Sequence, residues 1–173
     1  MNSNDKPMKP ESKRLTFTRY TPVDLPLYLQ LVTNARVMEH IAGRALTPED
    51  GRGRFEKALS FNIKDGETGN FMAHIREGGA YIGLAKLTVT GKGEAEVGYA
   101  LLPEYWGQGY ATEIVECFVG LARRLKRFRR LFAIVDPGNP ASVRVLEKFG
   151  FKPYKEGEID GLAAVYYELH LKK

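Results

Sequence analysis

Apolar positions recur along this chain in two rhythms. Ala111, Ile114, Val115, Phe118, Val119, Ala122 and Leu125 fall at i, i+3, i+4, i+7 spacing, which predicts a helix with one buried face. Glu113 and Glu116 come early in it and Arg123 and Arg124 late, as the helix dipole favours. Just upstream the period drops to two. Val97, Tyr99 and Leu101 alternate with Glu96, Gly98, Ala100 and Leu102, which predicts a strand. A charged Glu96 sharing a face with such small residues leaves room beside it. Between strand and helix lie Gly107 and Gly109. A tight turn would account for these glycines. So would a backbone that must come close to a ligand, because the helix that follows offers unsatisfied N–H groups that attract anions such as phosphate. The Gly-Lys-Ser/Thr ending of a Walker loop is missing, and so is the third glycine of the dinucleotide fingerprint.

The remaining pattern frames this unit. Leu15 and Phe17 alternate with Thr16 and Thr18, so residues 14–19 read as a first strand. Thr21, Pro22, Val23 and Asp24 open a helix with Leu25, Leu29 and Val32 on one side. Residues 34–44 continue helically to Gly43. Thr47 and Pro48 start a third helix carrying Phe55, Ala58, Leu59 and Ile63. After a polar turn over residues 64–70, strands are expected at 71–76 and 81–90, joined as a hairpin through Gly78 and Gly79. Gly91 and Gly93 then turn the chain into the strand ending at Leu102, and Pro103 stops ladder pairing. The apolar run Leu131, Phe132, Ala133, Ile134, Val135 predicts a strand buried on both faces, parallel to residues 94–102 across the helix. Asn139 and Pro140 open a further helix that turns Val143, Leu146 and Phe149 inward and stops at Gly150. Residues 151–154 and 162–171 form the last strand pair, linked by a polar turn around Gly157 and Gly161. The expected class is α/β: a mixed, mostly antiparallel sheet with a central βαβ unit and helices on both faces.

Composition narrows the setting. At 173 residues with 43% hydrophobic content, one domain over residues 14–173 is expected, preceded by a polar, mobile tail over residues 1–13. No run of eighteen apolar residues suggests a membrane span, and the first residues lack an apolar signal core, so a cytoplasmic location is expected. Cys117 is the only cysteine, which excludes an internal disulfide and fits a reducing compartment. His40, His74 and His170 show no metal-ligand spacing, and no metal is expected. The net charge of +5 is concentrated in residues 123–130. That run reads either as a solvated helix end or as phosphate contacts to RNA, although Phe128 is the only aromatic interleaved in it.

Two motifs carry a resemblance. Residues 106–112, WGQGYAT, follow the pattern Arg/Gln-x-x-Gly-x-Gly/Ala at Gly109 and Ala111, with Trp106 where Arg or Gln is usual. Residues 139–151, NPASVRVLEKFGF, follow N-x-x-S-x-x-x-L-E-K-x-G-F. In this order and spacing they resemble the GNAT N-acetyltransferases, in particular the ribosomal-protein N-terminal (RimJ/RimL-like) branch. The resemblance implies a single-domain acyltransferase that moves an acetyl group from acetyl-CoA to a primary amine by direct attack in a ternary complex. It places the CoA diphosphate on Gly107, Gln108, Gly109, Tyr110, Ala111 and Thr112, and the pantetheine arm on Asn139. The acetyl carbonyl would meet the backbone N–H groups of Leu101 and Leu102. The family's tyrosine donor, seven residues after the asparagine, falls on Leu146, so Ser142 is expected to serve the departing thiolate. Glu96 matches, with one residue of slip, a strand glutamate that acts as base. The run 123–130 could instead meet the 3′-phosphate of CoA. The acceptor would be a protein N-terminal α-amine or a small-molecule amine, aminoglycoside-like drugs included, held by residues 22–63 and the loop 155–165. A monomer or homodimer is expected, with neither nucleic acid nor membrane as partner. An RNA- or ribosome-binding module and a non-catalytic acyl-CoA-binding protein remain the alternatives.

Overall fold

A computed structural model describes residues 7–62 and 66–172. Local chemistry sets most element ends. Strand β1 (Leu15–Arg19) leads into a 3-10 turn in which Asp24 accepts from both the amide and the hydroxyl of Thr21, each at 2.8 Å. Helix α1 (Leu25–Val32) follows. Asn34 caps α2 (Ala35–Ala42) by accepting from the Arg36 amide at 3.0 Å, and Gly43 closes it with φ of 70°. Thr47 accepts from the Asp50 amide at 3.1 Å to start α3 (Pro48–Asn62). Ile63, expected on this helix, lies outside the described residues, as does Lys64 at the start of the turn that follows.

Strands β2 (Gly69–Ile75), β3 (Tyr81–Gly91) and β4 (Glu94–Leu101) form an antiparallel meander. Helix α4 (Tyr110–Leu125) crosses to β5 (Arg130–Val135), which pairs parallel to β4. Helix α5 (Pro140–Lys148) and the hairpin β6 (Lys152–Ile159) and β7 (Leu162–His170) complete the chain. The sheet order is β1-β2-β3-β4-β5-β7-β6. Helices cover both faces, as the pattern predicts. Helices α4 and α5 pack on one face around Ile114, Phe118 and Leu146, with Phe118 edge-on to Phe17 at 5.2 Å. Helices α1, α2 and α3 cover the other around Leu31, Met38 and Phe55.

Three expectations change. β5 is not buried on both faces: Leu131, Ala133 and Val135 are buried, whereas Phe132 and Ile134 are half-buried, because only one face meets the α4 core. In α1 the buried residues are Tyr28, Leu31 and Val32, with Leu25 and Leu29 only partly covered, because an eight-residue helix gives the period too little length to set its phase. β6 continues well past Tyr154 to Ile159, so Gly157 lies within the strand and the turn is made by Asp160 and Gly161, with φ of 52° and 83°. Two successive positive φ values suit the twist of a two-residue hairpin.

Of the residues read as a tail, 1–6 lie outside the described residues. Lys9 offers its carbonyl to Arg124 at 3.0 Å, and the Ser12 hydroxyl donates to Glu113 on α4.

The feature that matters most for function is a defect in the sheet. β4 pairs with β3 throughout and β5 with β7 throughout, yet β4 and β5 share only three register pairs, from Glu94↔Arg130 to Glu96↔Phe132. Beyond that point the two parallel strands part.

Candidate functional site

The parting of β4 and β5 opens a cleft of about 1080 Å³, bordered by both strands, the 106–112 loop, α2, α5 and the start of β7. That is enough for a large ligand. Leu102 donates its amide to the Ile82 carbonyl at 2.9 Å. Alternation along an antiparallel pair therefore turns the amides of Tyr99 and Leu101 away from β3, toward the open gap. Leu102 is thus not the second free donor that the family pattern implies; its N–H is held within the sheet. The Leu101 amide stays directed into the gap, and the Leu101 carbonyl accepts from Trp106 Nε1 at 2.8 Å.

The glycine loop sits at the mouth of the gap. Gly107 and Gly109 have φ of 70° and 82°, a region other residues enter at a cost of about 1–2 kcal/mol. Gly109 is the N-cap of α4 and brings no side-chain cap. Among the described residues, no backbone carbonyl accepts from the amides of residues 107–112. They form a cluster of unspent donors at the positive end of a helix. The loop is braced from behind. Gln108 donates its side-chain amide to the Glu104 carbonyl at 2.8 Å. Arg14 donates to the Gln108 carbonyl at 3.0 Å, lies 4.4 Å above the buried Tyr110 ring and pairs with Glu113 at 2.7 Å. Burial works to raise the Glu113 carboxyl, and hydrogen bonds from Ser12 and Arg14 outweigh it, leaving the group below its usual range. Trp106, which replaces the family's Arg or Gln, stands half in solvent with the Arg36 guanidinium 5.2 Å from its ring.

On the α5 side, Asn139 Oδ1 caps the helix by accepting from the Ser142 amide at 3.2 Å, which leaves its amide nitrogen for other partners. Ser142 Oγ accepts from the Tyr99 hydroxyl at 3.0 Å, so β4 and α5 are joined across the floor of the gap. Burial pushes the Tyr99 phenol above its ordinary value, and the bond to Ser142 offsets part of that rise. In the sequence Tyr99 shows only as sharing one strand face with Val97 and Leu101. Its pairing with Ser142, 43 positions away, does not show there.

Glu96 borders the same cleft, but the room expected beside it is filled. Lys86 on β3 lies over Gly98, its Cε 2.7 Å from where a Cβ would stand, and its ammonium reaches Glu96 at 2.6 Å. Across the cleft, His40 Nδ1 meets Asp136 Oδ2 at 2.6 Å. The His40 bond and the Gly138 amide hold the Asp136 carboxyl below its usual range.

The basic run lies elsewhere. Helix α4 has 16 residues, about 24 Å, and residues 123–130 sit at the end away from the loop. Of the run, Arg124 borders a groove that reaches back along α4 to Thr112 and Gly109. Phe128, its only aromatic, is buried and offers no stacking face, while Arg130 pairs with Glu94 and Glu168 at 3.1 and 3.0 Å. No helix among the described residues is long and apolar enough to cross a membrane.

Comparisons agree with this architecture. The family model for the Acetyltransferase (GNAT) domain matches residues 14–152. YkkB of Bacillus subtilis, an uncharacterised protein, is 31% identical over 100 residues, 56% of this chain and 54% of that one, so the match spans about half of that relative's length. Among solved structures, the ribosomal L7/L12 α-N-protein acetyltransferase RimL, in complex with CoA, shares the fold with a TM-score of 0.77 at 16% identity over 92% of this chain and 96% of that one. Spermidine N-acetyltransferase from Vibrio cholerae, in complex with CoA and spermine, does so with 0.74 at 19% identity over 91% and 95%. The strand–loop–helix unit, the parted strands and the family match converge: this chain belongs to the GNAT acetyltransferase family.

Proposed function

We propose that the protein transfers the acetyl group of acetyl-CoA to a primary amine by direct attack in a ternary complex. The diphosphate would rest on the amides of residues 107–112, the pantetheine arm would thread between β4 and β5 past Asn139, and the acetyl carbonyl would accept from the Leu101 amide. The observation that carries this reading is the set of unspent donors at the start of α4, placed where β4 and β5 separate. One preorganised donor at a developing oxyanion is worth about 3–4 kcal/mol of barrier. The Ser142 hydroxyl, backed by Tyr99, would pass a proton to the CoA thiolate as it leaves. Glu96, tethered by Lys86, would line the wall that the amine approaches.

The acceptor we favour is an N-terminal α-amine. The similarity to the RimJ/RimL-like branch supports it, and so does the charge of the cleft, where Arg36, Arg54 and Lys86 are matched by Glu39, Glu96 and Asp136. A polyamine such as the one named with the Vibrio cholerae enzyme would be better served by a surplus of acidic groups. An α-amine titrates near 8, so about one molecule in ten is already neutral at pH 7; for a lysine side chain the figure is about one in 2500. The test compares peptides acetylated at the N-terminus or at lysine, read by release of free thiol. Faster N-terminal acetylation is expected; faster lysine acetylation would overturn this choice of acceptor.

A further inference from the structure

We propose that His40 and Asp136 form a dyad in which His40 Nε2 takes the proton from the acceptor's ammonium group, with Asp136 as the residue that positions it. The inference rests on the amine-acetylation reading above. Asp136 follows β5 directly and is held on two sides: its Oδ1 accepts from the Gly138 amide at 2.8 Å, and its carbonyl accepts from the Asn139 amide at 2.9 Å. It is thereby fixed to the start of α5, the element that carries Ser142. His40 lies in the last turn of α2, on the opposite wall of the cleft. Their 2.6 Å contact joins the two walls.

An imidazole that donates Nδ1–H to a carboxylate presents Nε2 as its basic nitrogen, and the carboxylate stabilises the imidazolium that forms. Among the described residues Nε2 has no hydrogen bond. The His40 and Asp136 side chains are 34% and 27% exposed, so a proton taken up can leave to water. Glu96, the other carboxylate-based candidate, has Lys86 at 2.6 Å. The other charged groups bordering the cleft are Arg36 and Glu39 on α2, Arg54 on α3, Lys86 on β3 and Glu96 on β4; none is bonded to His40.

The step balances. One proton passes from the ammonium to Nε2 and on to solvent. The freed lone pair forms the C–N bond, and the C–S electron pair leaves on sulfur. The nitrogen sheds a second proton, which balances the one the thiolate gains through Ser142.

The test uses a serine-initiated tetrapeptide with a free α-amine, with benzylamine as second acceptor, in the full chain from pH 6 to 9. Acetyl-CoA affinity is read separately from the fluorescence of Trp106, the only tryptophan. His40→Gln is expected to lower kcat/KM about 100-fold and to remove the acidic limb of the pH profile. Asp136→Asn is expected to lower it about tenfold and displace that limb. Both should bind acetyl-CoA within twofold of wild type, and free imidazole should restore part of the activity of His40→Ala. Unchanged rate and pH limb in His40→Gln, or a loss matched by weaker acetyl-CoA binding, overturns the dyad. If wild type uses benzylamine but not the peptide, the choice of acceptor falls while the dyad is decided on benzylamine. If wild type binds acetyl-CoA but acetylates neither amine, the transfer reading falls and takes the dyad with it.

Discussion

Replacing Tyr99 by Phe removes one oxygen from a half-buried position and nothing else. That oxygen donates to Ser142 Oγ at 3.0 Å, and its ring packs against the core at the border of the cleft. A neutral hydrogen bond of this kind is worth about 0.5–1.5 kcal/mol net. If the phenol only braced the fold, its loss would lower Tm by about 1–6 °C and leave turnover alone. If instead Tyr99 polarises the Ser142 hydroxyl as it serves the thiolate, about 1 kcal/mol appears in the barrier as a roughly fivefold fall in kcat. Ser142→Ala removes the donor itself and should cost about 100-fold. The two residues then act as a unit, so Tyr99→Phe should cost nothing further in the Ser142→Ala background, a coupling of about 1 kcal/mol. The assay is thiol release at saturating acetyl-CoA, with single-turnover measurements to confirm that chemistry limits the rate. Burial holds the Tyr99 phenol protonated beyond its ordinary value, so the effect should persist across the neutral range. Multiplicative losses in the double variant, or wild-type kcat in Tyr99→Phe, would refute the relay.

Three other outcomes follow from the same geometry. Gly109→Val places a branched residue at φ of 82° on the loop, and loss of one or two charge-assisted bonds to the diphosphate should weaken acetyl-CoA binding by about 10- to 100-fold in calorimetric titration. Burial pushes the Cys117 thiol up to about 12, so in native protein a disulfide reagent at pH 8 should label it far more slowly than in urea. Burial also raises the phenols of Tyr20, Tyr28, Tyr81 and Tyr99. The unfolded chain loses those protons first, so their contribution is intact below pH 10 and is lost as pH climbs toward the folded values; Tm from calorimetry should be level to about pH 9 and fall beyond 10.

Where a feature is local, the chain spells it out. The face of α4 is written in a single period, Asn139 and Pro140 mark the start of α5, and Gly78 and Gly79 mark their hairpin with φ of 84° and 70°. The loop that follows β4 is likewise carried by a short contiguous stretch. What escaped depends on register or on contacts distant in sequence. Lys86 meets Glu96 because β3 places Lys86 opposite Gly98, which has no side chain to stand in the way. Tyr99 meets Ser142, and His40 meets Asp136 across 96 positions, only once the sheet has parted and the helices have closed over it. The second half of β6 escaped for another reason. KPYKEGEI is exposed along its whole length and has no apolar alternation; it is a strand because β7 offers it backbone partners. The resemblance located the loop, yet it did not reveal that the Leu102 amide is spent on Ile82.

The most direct measurement is a crystal structure of the protein with CoA. The account predicts diphosphate oxygens within about 3.2 Å of the amides at residues 107–112, with the pantetheine arm lying between β4 and β5 and its sulfur near Ser142. A diphosphate bound anywhere else, with those amides turned to protein or solvent, would contradict it.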